Sequence, residues 1–148
     1  MADQTRYIRR GSRADHERLG QLMHEAVRTG PSPYSDAQRA AWVPSPRKGE
    51  DWSARLLAQT IFIAEGEGKA LGFMTLASDG YLDFAYILPE ARGLGLFREL
   101  YTFVEQEARK TGEPRIRVHA SLMAQPAFDA MGFTILKKET ESMTRSTN

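Results

Sequence analysis

Two glycines, at 93 and 95, stand where an apolar run from Tyr81 to Leu88 passes through Pro89 and Arg92 into a segment with apolar residues at Leu96, Leu100, Phe103 and Val104. That order reads as strand, glycine-bearing turn and helix. Glycine admits φ > 0 and lets a ligand approach the backbone. The first turn of the following helix has amide N–H groups with no intrahelical partner. Together with the positive end of the helix dipole, these donors suit a phosphate. No Lys-Ser or Lys-Thr pair follows Gly95, so the P-loop of nucleoside triphosphate enzymes is not matched. The dinucleotide fingerprint fails as well, because its third glycine is missing and the segment lies mid-chain rather than in an opening βαβ unit. A turn built only for packing contains glycines too, so the pair gains meaning from its surroundings.

Asp83 is the only charge between Tyr81 and Leu88. Flanked by Leu82 and Phe84, its carboxylate must find a partner or reach water. Strict alternation puts it on the strand face of Ala85 and Ile87. Two roles fit it equally: a general base near the reactive end of a ligand, or a carboxylate at a strand end meeting an arginine. His119 alternates away from Val118 and Ala120 and reads as a surface histidine. The chain has no cysteine, which excludes a thiolate nucleophile, a thiolate metal site and a disulfide framework.

The elements that position these groups are expected to form one domain over residues 1–148, a length that buries a sizeable core. With 41% hydrophobic and 26% charged residues and no long apolar run, the composition is that of a soluble globular chain. Lys and Arg number 20 against 19 Asp and Glu, so neither a nucleic-acid nor a membrane footprint is expected. The opening Met-Ala-Asp-Gln-Thr-Arg lacks the apolar centre of a signal peptide, and the cytoplasm is the expected compartment.

A short first strand is expected over 6–10, its arginines forming a solvated face with Arg13. Ser12 and Asp15 then cap a helix that carries Leu19, Leu22, Met23 and Val27 up to Gly30. Pro31 and Pro33 break the chain before Ser35 and Gln38 cap a second helix through Trp42. A third is expected from Trp52 to Gln59. Strands follow at 60–64 and 71–76, with a hairpin turn at Ser78-Asp79-Gly80 into the run at Tyr81. After the central helix, a strand over 115–121, a short helix over 124–131 and a strand over 133–137 are predicted. Residues 139–145 are expected to form a short last strand or to extend the one before. This order predicts an α+β fold with helices on the faces of a sheet.

The segment Pro89-Glu90-Ala91-Arg92-Gly93-Leu94-Gly95-Leu96-Phe97-Arg98-Glu99-Leu100 resembles the pyrophosphate-binding signature of the GNAT superfamily of N-acetyltransferases. Arg92, Gly95 and Leu100 match it, while Phe97 stands where a small residue is usual. The run from Ser121 through Ala124 and Phe128 to Gly132-Phe133 is similar to the superfamily's second signature. Gly72-Phe73 and Asp79-Gly80-Tyr81 also fit, and Tyr34, Ser35, Gln38 and Trp42 resemble a bacterial branch. The resemblance covers most of the chain. It implies a mixed, mostly antiparallel sheet with helices on both faces, acetyl-CoA as co-substrate and no metal.

The resemblance also implies roles for particular residues. Backbone atoms of Tyr86, Ile87 and Leu88 would line the pantetheine arm and polarise the thioester carbonyl. Arg92, Gly93, Leu94, Gly95, Leu96 and Phe97 would hold the pyrophosphate. Ser121, Ala124 and Phe128 would face the same cofactor. Phe128 replaces a tyrosine that often protonates the leaving thiolate, so the usual general acid is missing there. Asp83 would then be the catalytic carboxylate along the amine channel, and Tyr34, Trp42 and Trp52 lie in the segments that form the acceptor wall, with Tyr34 as the substrate-binding residue. The expected activity is direct acetyl transfer to a primary amine on a small molecule or peptide, with a homodimer left open. Two alternatives accompany it: a module that holds acyl-CoA without turning it over, and an interaction domain whose glycines are only structural.

Overall fold

Three successive apolar runs build the centre of the molecule: β2 (Gln59–Gly66), β3 (Lys69–Ala77) and β4 (Tyr81–Ile87), each antiparallel to the next. The computed structural model describes residues 6–121, 124–137 and 142–147. Strand β1 (Arg6–Arg10) pairs antiparallel with β2. β5 (Arg115–His119) lies parallel to β4, and β7 (Ser142–Ser146) and β6 (Thr134–Lys137) complete a seven-stranded sheet of order β1-β2-β3-β4-β5-β7-β6. The β4–β5 pair is the parallel one. Parallel neighbours need a crossover, and helix α4 (Leu96–Lys110) supplies it.

Each face of the sheet is covered by a helix whose apolar residues recur every three or four positions. On one face, Leu96, Leu100, Tyr101, Val104 and Ala108 of α4 bury against Phe62, Met74, Leu82, Ile116 and Val118, with Phe128 and Met131 beside them. On the other face, Leu19, Leu22, Met23, Ala26 and Val27 of α1 (His16–Arg28) pack on Ile61, Ile63, Phe73 and Phe84. Trp52 and Leu56 of α3 (Gly49–Leu57) join them. The expected α+β fold with helices on both faces is therefore present. The capping boxes predicted at Ser12 and Ser35 are formed, the second opening α2 (Asp36–Trp42). Helix α3 begins three residues earlier than Trp52, where Glu50 and Asp51 sit favourably in its first turn. The third strand from the C-terminus, β5, ends at His119 rather than at Ser121. A last strand does form, as β7; its expected start at 139–141 lies outside the described residues.

One irregularity in β4 decides the geometry of everything beyond it. Met74 pairs with Ala85 and Leu76 with Leu82, so the single residue Thr75 stands opposite both Asp83 and Phe84. This is a β-bulge, and the buried Thr75 hydroxyl satisfies the displaced backbone by accepting a hydrogen bond from the Phe84 amide at 3.0 Å. Beyond the bulge the alternation is reset. Leu82 buries on the α4 side, whereas Phe84 buries on the α1 side. Asp83 consequently does not share a face with Ala85 and Ile87, as unbroken alternation predicts. The bulge also separates two strands: β4 and β5 pair only at Tyr81 with Arg117 and Leu82 with Val118.

Candidate active site

Where β4 parts from β5, a cleft of about 390 Å³ opens along the edge of β4. Ala85, Tyr86 and Ile87 form its floor, the turn at 91–98 one end, and Ser121 with Ala124, Ala127, Ala130 and Met131 the far wall. Ala26 and Val27 of α1, with Ser32, Tyr34 and Trp42, close the other side.

The turn is built as the glycines suggest. A single 3-10 turn at Pro89–Ala91 leads through extended Arg92 to Gly93 (φ 79°) and Gly95 (φ 82°), which is the N-cap of α4. A glycine cap has no side chain to satisfy the first-turn amides, so the N–H groups of Leu96, Phe97 and Arg98 remain open for a ligand. A Cβ built on Gly95 meets nothing within 4 Å, so the space beside these donors is free. Gly93, Gly95, Leu96 and Phe97 all line the cleft. The Leu94 side chain does not: it is exposed, because the turn points it outward.

Arg92 lines the cleft and donates to the Ala26 carbonyl at 2.9 Å, tying the turn to the end of α1. The buried Arg39 donates to three neighbouring carbonyls, of Val27, Thr29 and Gly30. Burial and the nearby Arg39 charge lower the Arg92 pKa from its ordinary value. Among the described residues no carboxylate pairs with either arginine, and the two cations leave this end of the cleft positive.

The Leu88 side chain belongs to the α1-side core, as a residue expected to act only through its backbone allows, and its amide is spent on the Leu71 carbonyl. The expected roles of Phe128 and Asp83 are met differently. Phe128 is only 1% exposed. Its ring meets Phe97 and Phe133 edge-on at 5.0 Å each, so it is core behind the wall rather than a residue facing a cofactor. The two departures from the usual pattern, Phe97 and Phe128, thus touch each other. Asp83 lies outside the cleft lining. Its two oxygens accept from Arg55 at 2.9 and 2.7 Å and from Gln59 at 2.7 Å, and the Arg55 guanidinium lies over Phe84 at 4.6 Å. Of the two roles that fit Asp83 from the sequence, this is the carboxylate that meets an arginine: the bulge turns it towards α3.

Ser121 and Ala124 do line the cleft, with the Ser121 hydroxyl accepting from the Ala124 amide. Tyr34 lines it as expected and stacks edge-on against Trp42 at 5.7 Å, which in turn approaches Tyr86 at 6.3 Å. Burial pushes the Tyr86 phenol well above its ordinary pKa, so at neutral pH it keeps its proton. His119 packs edge-on against Tyr81 and is exposed, away from the cleft. Trp42 lines the cleft, in keeping with its place in the acceptor-wall segments, while sequence reasoning missed Ser32, Arg98 and the small face of α5 (Gln125–Ala130). The spacing of Tyr34 and Trp42 around the capped α2 was the available signal for the aromatic wall.

The family described as an acetyltransferase (GNAT) domain matches residues 32–144. The chain belongs to the GNAT acetyltransferases. The fold of this acetyltransferase is similar to that of a GCN5-related N-acetyltransferase from Rhodopseudomonas palustris, with a TM-score of 0.86 and 23% identity over 99% of this chain and 98% of that one. It is also similar to the PaiA N-acetyltransferase of Thermoplasma acidophilum, solved with coenzyme A (TM-score 0.78, 19% identity, 96% and 99% covered). A GNAT family acetyltransferase from Brucella melitensis, solved with acetyl-CoA, follows at a TM-score of 0.66 and 20% identity, with 99% and 90% covered. No curated protein sequence matches the chain significantly.

Proposed function

We propose that the protein transfers the acetyl group of acetyl-CoA to a primary amine, directly, with both substrates bound together. The observation that carries this reading is the coincidence, in one cleft, of a strand edge freed by the bulge and a helix start whose amides have no cap. The open amides of Leu96, Phe97 and Arg98 suit a pyrophosphate, and the positive Arg92 end adds to the attraction. The unpaired edge of β4 at 85–87 suits an extended arm that carries amides of its own, since a buried backbone group needs a partner. Its N–H donors would stabilise the oxyanion that forms when the amine attacks the thioester carbon.

Balance of the step is simple. The nitrogen–carbon bond forms, the carbon–sulfur bond breaks, the amine gives up its proton to water, and the thiolate leaves as such or takes a proton from water. Holding both partners in line supplies much of the acceleration. Tyr34, Trp42 and Tyr86 form the wall along which the amine would arrive. Asp83 acts on this reading through the position of Arg55 and α3, not by contact. Isothermal titration with acetyl-CoA and dephospho-analogues, followed by a thiol-release screen of amines, tests it. Heat of binding and thiol release are expected. No heat and no thermal shift at millimolar ligand would overturn the reading, and binding without release against any amine would leave a module that only holds acyl-CoA.

A further inference from the structure

Beside the cleft, across Trp42, lies a second hollow of about 570 Å³, formed by the loop 43–48 and the first turns of α3. Trp42 lines both, so a molecule bridging them would lie along its indole. Three cations face the second hollow, Arg47, Lys48 and Arg55, against one carboxylate, Asp51. Arg55 is already neutralised by Asp83. Among the described residues Arg47 and Lys48 have no carboxylate within ion-pair distance, and Asp51 pairs with neither.

Arg47 is held in place without being spent. Its guanidinium lies over the Trp52 ring at 5.9 Å, and that indole is itself fixed by donating to the His16 carbonyl at 2.6 Å. The Arg47 backbone packs directly on Gly20 of α1, where a Cβ would run into the Arg47 carbonyl, and Pro44 and Pro46 stiffen the approach. A planar guanidinium stacked on a fixed ring keeps its N–H edges free, the arrangement that grips a carboxylate or a phosphate through two parallel hydrogen bonds. Its field reaches the reactive end of the cleft, since the Arg47 charge opposes the upward push of burial on the Tyr86 phenol.

We infer that the acceptor amine carries an anionic group, a carboxylate or a phosphate monoester, held by Arg47 and Lys48 in the hollow beside Trp42 while its amine lies against Tyr34 and Tyr86. This rests on the acetyltransferase reading above. Two-point binding of this kind fixes the amine's direction of approach, and it favours anionic over neutral acceptors because only the former gain the contact with the two cations.

Matched acceptors test it in the thiol-release assay: amino acids against their amides, and aminoalkyl phosphates against the corresponding amino alcohols. In at least one pair the anionic member should have a kcat/KM about tenfold or more above its neutral partner, and which pair shows this tells carboxylate from phosphate. In the double variant Arg47→Gln, Lys48→Gln that advantage in kcat/KM should vanish, with the KM for acetyl-CoA unchanged. Arg47→Lys should keep part of it, and its melting temperature shows whether the fold is intact. Equal rates for both members of every pair, or a preference that survives the double variant, would overturn the inference. If no amine of either kind releases thiol, the acetyltransferase reading fails first. The hollow is then tested by thermal shift with the same anionic amines and coenzyme A: stabilisation of the wild type and not of the double variant supports it, and no stabilisation overturns it.

Discussion

Gly95 and Gly112 are a matched pair that separates backbone strain from ligand contact. Both have positive φ, 82° and 80°, and a Cβ built on either meets nothing within 4 Å. They sit at opposite ends of α4, Gly95 in the cleft and Gly112 just past the C-terminus. Alanine at either position is forced into the left-handed region at about 1–2 kcal/mol, offset in part by about 0.4–1 kcal/mol from the stiffer unfolded chain. Each substitution should therefore destabilise by roughly 1 kcal/mol, a fall of about 3 °C in Tm for a chain of this size. The consequences for the ligand should differ. A methyl group on Gly95 projects beside the open amides of α4 and pushes a bound phosphate off one or two of them. At about 1.5–3 kcal/mol for each hydrogen bond to a charged group, the loss in acetyl-CoA affinity is about ten- to a hundredfold or more. Gly112→Ala should leave affinity unchanged. Scanning calorimetry and titration calorimetry on the two variants measure both quantities. Equal affinities for Gly95→Ala and Gly112→Ala would refute the phosphate cradle and leave both glycines as turn residues.

Asp83→Asn should bind acetyl-CoA and keep kcat within about threefold between pH 6 and 9, because the carboxylate faces Arg55 and Gln59 rather than the cleft. Loss of most turnover with recovery at high pH would instead assign it the work of a base. Phe128→Tyr puts a hydroxyl between Phe97 and Phe133, so Tm should fall by an amount equivalent to about 1–3 kcal/mol and the rate should change less than about twofold; a large rate gain would mean that the ring reaches the cleft. Arg9 bonds both Asp15 and Glu65 and holds both carboxyls below their ordinary pKa values, so their contribution to stability is present above the unfolded values of roughly 4 and is lost as pH falls through the lower folded ones. Arg9→Gln should accordingly lower Tm at pH 7, with the gap to wild type closing in melts below about pH 4; a constant gap would refute the linkage.

What could be read from the sequence was whatever one element determines alone. The apolar spacing of Leu19, Leu22, Met23 and Val27, the boxes at Ser12 and Ser35, and the glycines before Leu96 each specify local structure, and each is found in place. Residues whose surroundings depend on two elements at once were harder. Phe128 sits on a helix one turn from Ala124, and only the packing of Phe97 and Phe133 puts its ring behind the wall instead of in it. Leu88 follows a strand end, and its burial depends on α1. The arginines at 47 and 55 look alike in a list of charges. One is neutralised by Asp83, on a strand far along the chain, and the other is stacked on nearby Trp52 without an ion pair, a distinction that only the packing of α3 on β4 makes.

The misplaced face of Asp83 has a single cause, and it is the same feature that opens the cleft. Periodicity of two assumes an unbroken ladder, and a bulge adds a residue that no apolar pattern announces. Here the extra residue turns Asp83 towards α3, sends Phe84 into the α1-side core, and ends the pairing of β4 with β5 after Leu82. Thr75 is the side chain that stabilises this arrangement, fully buried with its hydroxyl on the Phe84 amide. Thr75→Val keeps the shape and removes the acceptor, leaving a buried N–H unsatisfied at about 1–3 kcal/mol. If the strand escapes that penalty by regularising, the edge of β4 at 85–87 closes towards β5 and the site is lost along with the bulge. The variant should therefore lose acetyl-CoA affinity by more than tenfold while a control core truncation of equal thermal cost, Ile116→Val, keeps it. Equal affinity in the two variants would show that the opening between the strands does not depend on the bulge.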